Sequence, residues 1–214
     1  MTINPQRGLE VTLLKAPVVP VMVIENVKDA VPLARALVSG GLTVLEIALR
    51  TAAALDCIKA IVSEIEGVIV GSGTVLTSQQ LLQSEKAGCS FAVSPGSTEK
   101  LMEAAKDISI ALLPGAASAS EAMVLLENGY VLQKFFPAEQ AGGTAFLASL
   151  ASPLPQIKFC PTGGITPALA PSYLKLGNVI TIGGSWMTTP VLVNEGRWDI
   201  IEKLAREAAE MRKN

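Results

Sequence analysis

The chain alternates two kinds of segment along most of its length. Short apolar runs rich in β-branched residues predict strands, and the segments between them, whose apolar residues recur with a helical period, predict helices. The predicted strands are Val18–Ile24, Val44–Leu49, Val68–Val70, Phe91–Val93, Ile110–Leu113, Val131–Phe135, Ile157–Cys160 and Val179–Ile182. The predicted helices are Ala30–Val38, Ala52–Ile65, Ser78–Ala87, Glu99–Lys106, Ser118–Glu127, Thr144–Leu150, Pro167–Leu176 and Trp198–Met211, with an amphipathic helix before them from Arg7 to Lys15.

This alternation indicates the fold class. Eight strands that alternate with eight helices predict an α/β fold, a parallel (β/α)8 TIM barrel with a short extra N-terminal helix. The alternative is an open doubly wound sheet, which is disfavoured because no G-x-G-x-x-G turn follows the first strand. No linker and no low-complexity segment interrupts the pattern, so we expect residues 1–214 to form a single domain.

Composition narrows the chemistry. Half of the residues are hydrophobic and only 4% are aromatic, so the core is aliphatic, as in sheets buried on both faces. The chain contains no histidine, which removes the commonest metal ligand and the commonest general base together. A zinc enzyme with histidine ligands is excluded, as is a Ser-His-Asp or Cys-His arrangement. Any catalysis must use lysine, carboxylate, arginine, tyrosine or cysteine side chains, or the backbone.

Net charge, the polar start and the lengths of the apolar runs indicate which partners and which location to expect. A net charge of −2 and a pI near 5.3 give no basic surface for a nucleic acid or an acidic membrane. The polar start predicts no signal peptide, and no apolar run is long enough to cross a bilayer. Cys57, Cys89 and Cys160 lack metal-ligand spacing, so we expect no bound metal and a cytoplasmic location.

Lys134 lies within the apolar strand Val131–Phe135 and is the strongest candidate for a nucleophile. Burying an ammonium costs several kcal/mol, and a neutral, desolvated lysine amine attacks carbonyl carbons to form Schiff bases. The alternative is structural: the side chain could snorkel, with its stem on the core and its ammonium in water.

The second strand supplies further polar candidates. Glu46 and Arg50 share the parity of Val44 and Ala48, so an inward-facing parity would bring a carboxylate and a guanidinium into the top of the barrel. The alternative is a local surface ion pair, worth under about 1 kcal/mol. The apolar neighbours of Glu46 in the strand disfavour that alternative.

Several other strands end in glycine-rich turns, where this fold carries its active sites. Thr74 follows one such turn and Pro95 lies in another. Paired glycines end the seventh and eighth strands, where this fold often binds phosphate on backbone N–H groups. The residues of this predicted phosphate site are Thr162, Gly163, Gly164, Gly183, Gly184 and Ser185.

These segments together closely resemble the 2-keto-3-deoxy-6-phosphogluconate (KDPG) and KHG aldolase family of class I aldolases. The matching segments are Pro17–Val21, Leu45–Thr51, Gly71–Leu76, Ser94–Gly96, Lys134–Glu139, Cys160–Ile165 and Gly183–Trp186. The resemblance runs from about residue 16 to the last helix, and the K-F-F-P-A-E and P-T-G-G-I segments are the most specific.

The resemblance implies roles for the candidate residues. By it, Lys134 is the Schiff-base lysine and Glu46 is an acid/base that acts partly through a water. By the same resemblance, the family's pyruvate pocket corresponds in this chain to Arg50, Thr74, Pro95 and Phe136. The residues of the two glycine turns resemble the family's site for the phosphate and the substrate tail. The reaction it implies is the reversible cleavage of KDPG to pyruvate and glyceraldehyde 3-phosphate, without a cofactor, in a homotrimer whose partner is a small keto-acid phosphate.

Other functions stay open on the sequence alone. Within the aldolases, the substrate could be 4-hydroxy-2-oxoglutarate or the epimer 2-keto-3-deoxy-6-phosphogalactonate, since the choice of epimer depends on side-chain positions of about 1 Å precision. A phosphate-binding barrel isomerase that forms no imine is another alternative. A barrel that only binds a sugar acid is the last, because a fold does not imply a function.

Overall fold

The structure is a computed structural model that describes residue 6 and residues 8–211. Its strands are β1 (Val18–Met22), β2 (Val44–Ala48), β3 (Ile69–Gly73), β4 (Phe91–Val93), β5 (Ala111–Leu113), β6 (Gly115–Ala116), β7 (Leu132–Phe135), β8 (Lys158–Pro161) and β9 (Ile182–Gly184). Its helices are α1 (Leu9–Leu13), α2 (Val27–Ser39), α3 (Ala54–Glu64), α4 (Ser78–Lys86), α5 (Glu99–Ala104), α6 (Ala119–Glu127), α7 (Gly143–Leu150), α8 (Ala170–Leu174), α9 (Pro190–Asn194) and α10 (Trp198–Ala209).

The strands form the predicted parallel barrel. One run of paired strands has the order β5-β4-β3-β2-β1-β9, and a second has the order β6-β7-β8. Pro114, which has no N–H to donate, separates β5 from β6, so these two strands are successive parts of the fifth barrel strand. Parallel bridges from Phe159 to Val179 and from Thr162 to Gly183 join β8 to the chain around β9 and close the barrel.

Local sequence signals set several helix starts as predicted. The side chains of Thr77, Thr98 and Ser118 each accept a hydrogen bond from the backbone N–H three residues later, at the starts of α4, α5 and α6. Such caps satisfy N–H groups that have no partner within the helix. These three helices therefore begin at or next to the predicted residues, which fixes the lengths of the preceding loops.

The prediction was wrong about two glycine segments, which lie in strands and not in turns. Gly71 and Gly73 belong to β3, where they pair with Glu46 and Ala48 of β2. Gly183 and Gly184 belong to β9, where they pair with Val19 and Pro20 of β1. Parallel pairing holds the glycine backbone extended, and the missing side chains leave room inside the barrel for larger neighbours.

The helical layer also differs from the prediction at its two ends. Helix α9 was not predicted, although its Thr189-Pro190 start has the sequence of an N-cap followed by proline at the first helical position. The first helix is confined to Leu9–Leu13, and Arg7, where it was expected to begin, lies outside the described residues. Helix α8 is likewise shorter than Pro167–Leu176.

A single cluster of buried apolar side chains fills the barrel and the space between strands and helices. Inside the barrel, the ring of Phe91 lies against Gly71, where a Cβ would be 2.3 Å from the ring. The aromatic ring thus fills the interior beside β3, in the space left by the missing side chain of Gly71. None of the helices in the described part of the chain is both long and apolar enough to span a bilayer.

Candidate active site

Lys134 and Glu46 meet inside the barrel. Strand β7 positions Lys134 and strand β2 positions Glu46, and Lys134 Nζ lies 3.2 Å from Glu46 Oε1. Both residues are 4% exposed. The alternative that Lys134 snorkels to water is therefore wrong, and Glu46 pairs with Lys134 instead of forming a surface ion pair. The Glu46 side chain therefore faces the interior of the barrel.

A thiol and an aromatic ring lie next to the pair. Cys160 is paired with Lys134 in the β7–β8 register, so the two side chains share one face of the sheet. Burial raises the pKa of the Cys160 thiol to about 12, and the nearby Glu46 carboxylate adds to this rise while Lys134 opposes it. The Phe136 ring centroid lies 5.4 Å from Lys134 Nζ, within the range of a cation–π contact. The amine is thus held among a neutral thiol, a ring and one carboxylate.

Glycine makes room for the Glu46 carboxylate. A Cβ at Gly73 would lie 2.2 Å from Glu46 Oε1 and 2.8 Å from its Cγ, a distance that no side chain tolerates. Any larger residue at this position would displace the carboxylate from Lys134. The missing side chain of Gly73 therefore leaves the space that the Glu46 carboxylate occupies.

Arg50 and Thr74 are joined at the ends of neighbouring strands. Arg50 Nε donates a hydrogen bond of 3.0 Å to Thr74 Oγ1, and this leaves the terminal nitrogens of the guanidinium for an anion. Thr74 has a φ of 57°, a left-handed conformation that costs a β-branched residue about 1–3 kcal/mol. Such strain occurs mainly at functional sites, where the surrounding structure holds the residue in place.

The backbone of Pro95 packs against Gly115, the neighbour of Lys134 in the adjacent strand. A Cβ at Gly115 would come within 2.3 Å of the Pro95 carbonyl, and Gly115 pairs with Lys134 in the β6–β7 register. The loop after β4 therefore packs directly on the strand next to Lys134.

A cavity of about 370 Å³ opens at the carboxyl ends of the strands. It brings together eight of the predicted residues: Arg50, Phe136, Thr162, Gly163, Gly164, Gly183, Gly184 and Ser185. Lys134, Glu46, Thr74 and Pro95 are absent from its lining, and the first two lie deeper in the barrel. The sequence did not single out six further lining residues: Val21, Val23, Ile165, Thr188, Thr189 and Pro190.

Signals for some of these six residues were present in the sequence. Val21 lies beside Glu46 in the β1–β2 register, so the inward parity of Glu46 implies that of Val21. Thr189 and Pro190 carry the helix-start signal of α9. Thr188 has no such signal, because its role depends on a tertiary contact: its hydroxyl donates to Val21 O at 3.3 Å and ties the loop after β9 to β1.

The backbone of the turn after β8 faces the cavity. Gly163 and Gly164 have φ values of 108° and 77°, a region that side chains other than glycine rarely adopt. Backbone N–H groups of Ala138 and Glu139 donate to the carbonyls of Thr162 and Gly163 at 2.9 and 3.1 Å. The turn is thereby held on the segment that follows Lys134, with an exposed face towards the cavity.

Within residues 6 and 8–211, no group of acidic or cysteine side chains is arranged to hold a metal ion.

This arrangement can perform carbonyl chemistry. A buried amine has a carboxylate within hydrogen-bond distance, and an arginine and two glycine-rich strand ends line the adjoining cavity. An amine and a carboxylate so placed can form an imine and transfer protons at neighbouring carbon and oxygen atoms.

Comparisons with known proteins agree with this chemistry. The family model for KDPG and KHG aldolases matches residues 9–204. A 2-dehydro-3-deoxy-phosphogluconate aldolase of Pseudoalteromonas atlantica is 49% identical over 208 residues, which cover 97% of each chain. The KDPG aldolase of Zymomonas mobilis ZM4, whose structure holds 3-phosphoglycerate, superposes with a TM-score of 0.92 at 47% identity and covers 96% of this chain and 97% of its own.

A second structure bears on the amine. The KDPG aldolase of Legionella pneumophila, with pyruvate captured at low pH as a covalent carbinolamine intermediate, has a TM-score of 0.92 and 39% identity. The match covers 98% of this chain and 100% of that one. A carbinolamine is the adduct of an amine and a ketone, the first intermediate on the route to an imine.

Proposed function

This chain belongs to the KDPG and KHG aldolase family, and we propose that it is a class I aldolase that reversibly cleaves KDPG to pyruvate and glyceraldehyde 3-phosphate. Cleavage of a carbon–carbon bond with release of an aldehyde makes it an aldehyde-lyase. The observation that carries the assignment of roles is the buried pair of Lys134 and Glu46, 3.2 Å apart beside the cavity. An amine and a carboxylate are the two groups that an imine-forming aldolase requires.

The reaction follows from these groups. Lys134 Nζ attacks the C2 ketone to give a carbinolamine, and loss of water gives an imine that withdraws electrons from C3. Glu46 accepts the proton of the C4 hydroxyl as the C3–C4 bond breaks, which releases glyceraldehyde 3-phosphate and leaves an enamine. Protonation at C3 and hydrolysis of the imine release pyruvate and restore the amine. The imine itself is the electron sink, so these steps require neither a metal nor an organic cofactor.

The keto-acid end of the substrate binds near Arg50. A planar guanidinium matches a carboxylate with two hydrogen bonds, and Thr74 orients the Arg50 guanidinium through its Nε. Phe136 lines the cavity beside Lys134, and Pro95 packs on the neighbouring strand, so both bound the pyruvate pocket. These apolar surfaces exclude water from the imine.

The phosphate end binds at the ends of β8 and β9. Backbone N–H groups of the glycine segments and the Ser185 hydroxyl face a cavity that Arg50 also lines. Thr162, which is 8% exposed, lies at the junction between this region and the barrel interior. The 3-phosphoglycerate in the Zymomonas structure supports a phosphate ligand for this fold.

Borohydride trapping tests the role of Lys134. Incubation with pyruvate and sodium borohydride should reduce the imine to a stable amine, and we expect one adduct, on the peptide that contains Lys134. The matched control is Lys134→Arg, which keeps a cation beside Glu46 but has no amine that condenses with a ketone. An adduct on another lysine would contradict the role of Lys134. No adduct on the folded wild-type protein would remove the imine mechanism and favour an isomerase.

4-Hydroxy-2-oxoglutarate is the second candidate substrate. The matching family includes KHG aldolases, and this substrate has the same keto-acid end as KDPG. The phosphate site proposed at the glycine segments favours KDPG as the substrate. Comparison of kcat/KM for the two substrates decides between them, and we expect the higher value for KDPG.

The assembly and location of the chain are also proposals. A homotrimer is implied by the family resemblance. Sedimentation equilibrium should give three times the chain mass of 22.3 kDa.

Three free buried cysteines support a cytoplasmic location, since a reducing compartment keeps thiols reduced. The closed barrel supports a single domain.

A further inference from the structure

One buried polar contact close to the cavity has no part in the steps above. The Tyr173 hydroxyl of α8 donates a hydrogen bond to Glu139 Oε1. Tyr173 is fully buried and Glu139 is half-buried, five residues after Lys134 in the K-F-F-P-A-E segment. A buried phenol that donates to a carboxylate forms one of the stronger hydrogen bonds in proteins.

Glu139 is in contact with the turn that follows β8. Its backbone N–H donates to Gly163 O at 3.1 Å. A Cβ at Gly164 would lie 2.9 Å from both Cβ and Cγ of Glu139, so the Glu139 side chain lies directly on the Gly164 backbone. Gly164 lines the cavity. Movement of the Glu139 side chain would therefore change the shape of the turn.

Tyr173 keeps the Glu139 side chain in one position. Burial, followed by the hydrogen bond to Glu139, raises the pKa of Tyr173 above its ordinary value, so its hydroxyl stays protonated and remains a donor at neutral pH. The same two groups enclose the start of α7, since a Cβ at Gly143 would lie 3.3 Å from the Tyr173 hydroxyl and 3.4 Å from Glu139 Oε1. Without the phenol, the carboxylate could take other rotamers, some of them nearer to a bound anion.

We propose that Tyr173 and Glu139 are positioning residues that hold the turn of Gly163 and Gly164 in the shape that binds the substrate phosphate. The hydrogen bond fixes the carboxylate, the carboxylate stem fixes Gly164, and the fixed turn presents its N–H groups to the phosphate. This rests on the phosphate assignment of the proposed function and specifies what maintains that site.

The test compares KDPG with unphosphorylated 2-keto-3-deoxygluconate. For Tyr173→Phe, which keeps the buried ring and removes only the hydroxyl, we expect KM for KDPG to rise about tenfold, with kcat changed less than about twofold. The KM for the unphosphorylated substrate should stay unchanged. A purely structural role would alter kcat or affect both substrates alike.

Tyr130→Phe is the matched control. Tyr130 is 2% exposed, and its hydroxyl has no hydrogen-bond partner among the described residues. This substitution removes the same buried hydroxyl from the same residue type, and we expect both KM values to equal those of the wild type.

Glu139 variants keep the test informative should Tyr173→Phe fail to fold. Because Glu139 is half-buried, Glu139→Ala should fold and raise KM for KDPG as Tyr173→Phe does. Glu139→Gln retains a carbonyl that accepts from the phenol and should restore most of the wild-type KM. The double variant Tyr173→Phe with Glu139→Ala should be no worse than either single variant, since the two residues act through one contact.

The failure of this inference differs from that of the proposed function. If wild-type KM is the same for both substrates, the phosphate assignment itself is wrong. A different result is that the wild type has a lower KM for KDPG than for the unphosphorylated substrate, and that Tyr173→Phe and Glu139→Ala keep the same difference. That result would overturn the positioning role and leave the phosphate site in place. Equal losses for both substrates would also overturn the positioning role.

Discussion

At the scale of residues, Lys134 and Glu46 depend on each other. Both side chains are about 95% buried, at 6% and 5% exposure, and they form a 3.2 Å ion pair. Removal of one partner from a buried pair leaves an uncompensated charge, whereas replacement of both can be almost neutral. The pair proposed to perform the chemistry is therefore also a place where a single substitution can destabilise the protein.

A stability cycle tests this dependence. Lys134→Met should lower the free energy of unfolding by about 3–5 kcal/mol, because Glu46 is left buried without its cation. Addition of Glu46→Gln should recover most of that loss. Urea denaturation of the wild type, both single variants and the double variant measures the coupling. Additive losses in the double variant would contradict the proposed mutual dependence.

Glu46→Gln also separates proton transfer from imine formation. The amide cannot accept the C4 hydroxyl proton, so we expect kcat for KDPG cleavage to fall about 100-fold or more. Pyruvate should still be trapped on Lys134 by borohydride, because formation of the adduct needs the amine. An equal loss of cleavage and of trapping would show that Glu46 serves binding alone.

The sequence revealed some of these residues and not others. Lys134 and Glu46 were predictable because each is a charged residue within an apolar strand, which the cost of burying charge makes unusual. Tyr173 was not, since one tyrosine on a helix is common and its partner Glu139 is 34 residues away. Thr188 was missed for the same reason: its contact with Val21 spans 167 residues.

At the scale of elements, glycines within strands give the barrel top its shape. A Cβ at Gly73 would collide with Glu46, and one at Gly183 would lie 2.3 Å from Thr162 Oγ1. In both strands the space of a missing side chain is occupied by a polar group, from β2 at Gly73 and from the residue that follows β8 at Gly183. The sequence predicted turns here because glycine usually marks turns, whereas parallel pairing with β1 and β2 decides the conformation.

The close approach at Gly183 gives a prediction. Gly183→Ala should lower the free energy of unfolding by about 1–3 kcal/mol through overpacking against Thr162. The control Gly177→Ala places its Cβ where no atom lies within 4 Å, and it should change stability little. In a Thr162→Ala background the cost of Gly183→Ala should shrink, because the hydroxyl is gone. An equal cost in both backgrounds, measured by urea denaturation, would contradict the contact.

At the scale of the whole molecule, the closed barrel shields three thiols. Cys57, Cys89 and Cys160 are free and buried in different parts of the fold. Burial is the main cause that raises their pKa values, to about 11, about 12 and about 12. Each thiol is therefore both neutral and inaccessible at pH 8, while an unfolded chain exposes thiols that ionise near pH 9.

Alkylation of these thiols should report opening of the fold. At pH 8 we expect iodoacetamide to label none of the three cysteines in the time that labels all three in urea, as measured by intact mass. Partial urea should increase the labelling of all three together, since opening exposes them. Rapid labelling of one cysteine in the native protein would show that its part of the barrel opens separately.

The same thiols give stability a pH dependence. Their folded pKa values are raised, so their contribution to stability is fully present below about pH 9 and is lost as pH rises towards about 12. We expect the free energy of unfolding to fall between pH 8 and pH 11. A variant with all three cysteines replaced by alanine should show a shallower decline, and an identical slope would contradict this cause.

By itself, the sequence determined the alternation of strands and helices, several helix caps, and the charged residues buried in apolar strands. These follow from local periodicity and from the cost of burying charge, which adjacent residues express directly. Only the tertiary structure decided that Gly71, Gly73, Gly183 and Gly184 are strand residues, that Glu46 pairs with Lys134, and that Tyr173 holds Glu139. Such contacts join residues far apart in the chain, and closure of the barrel alone brings them together.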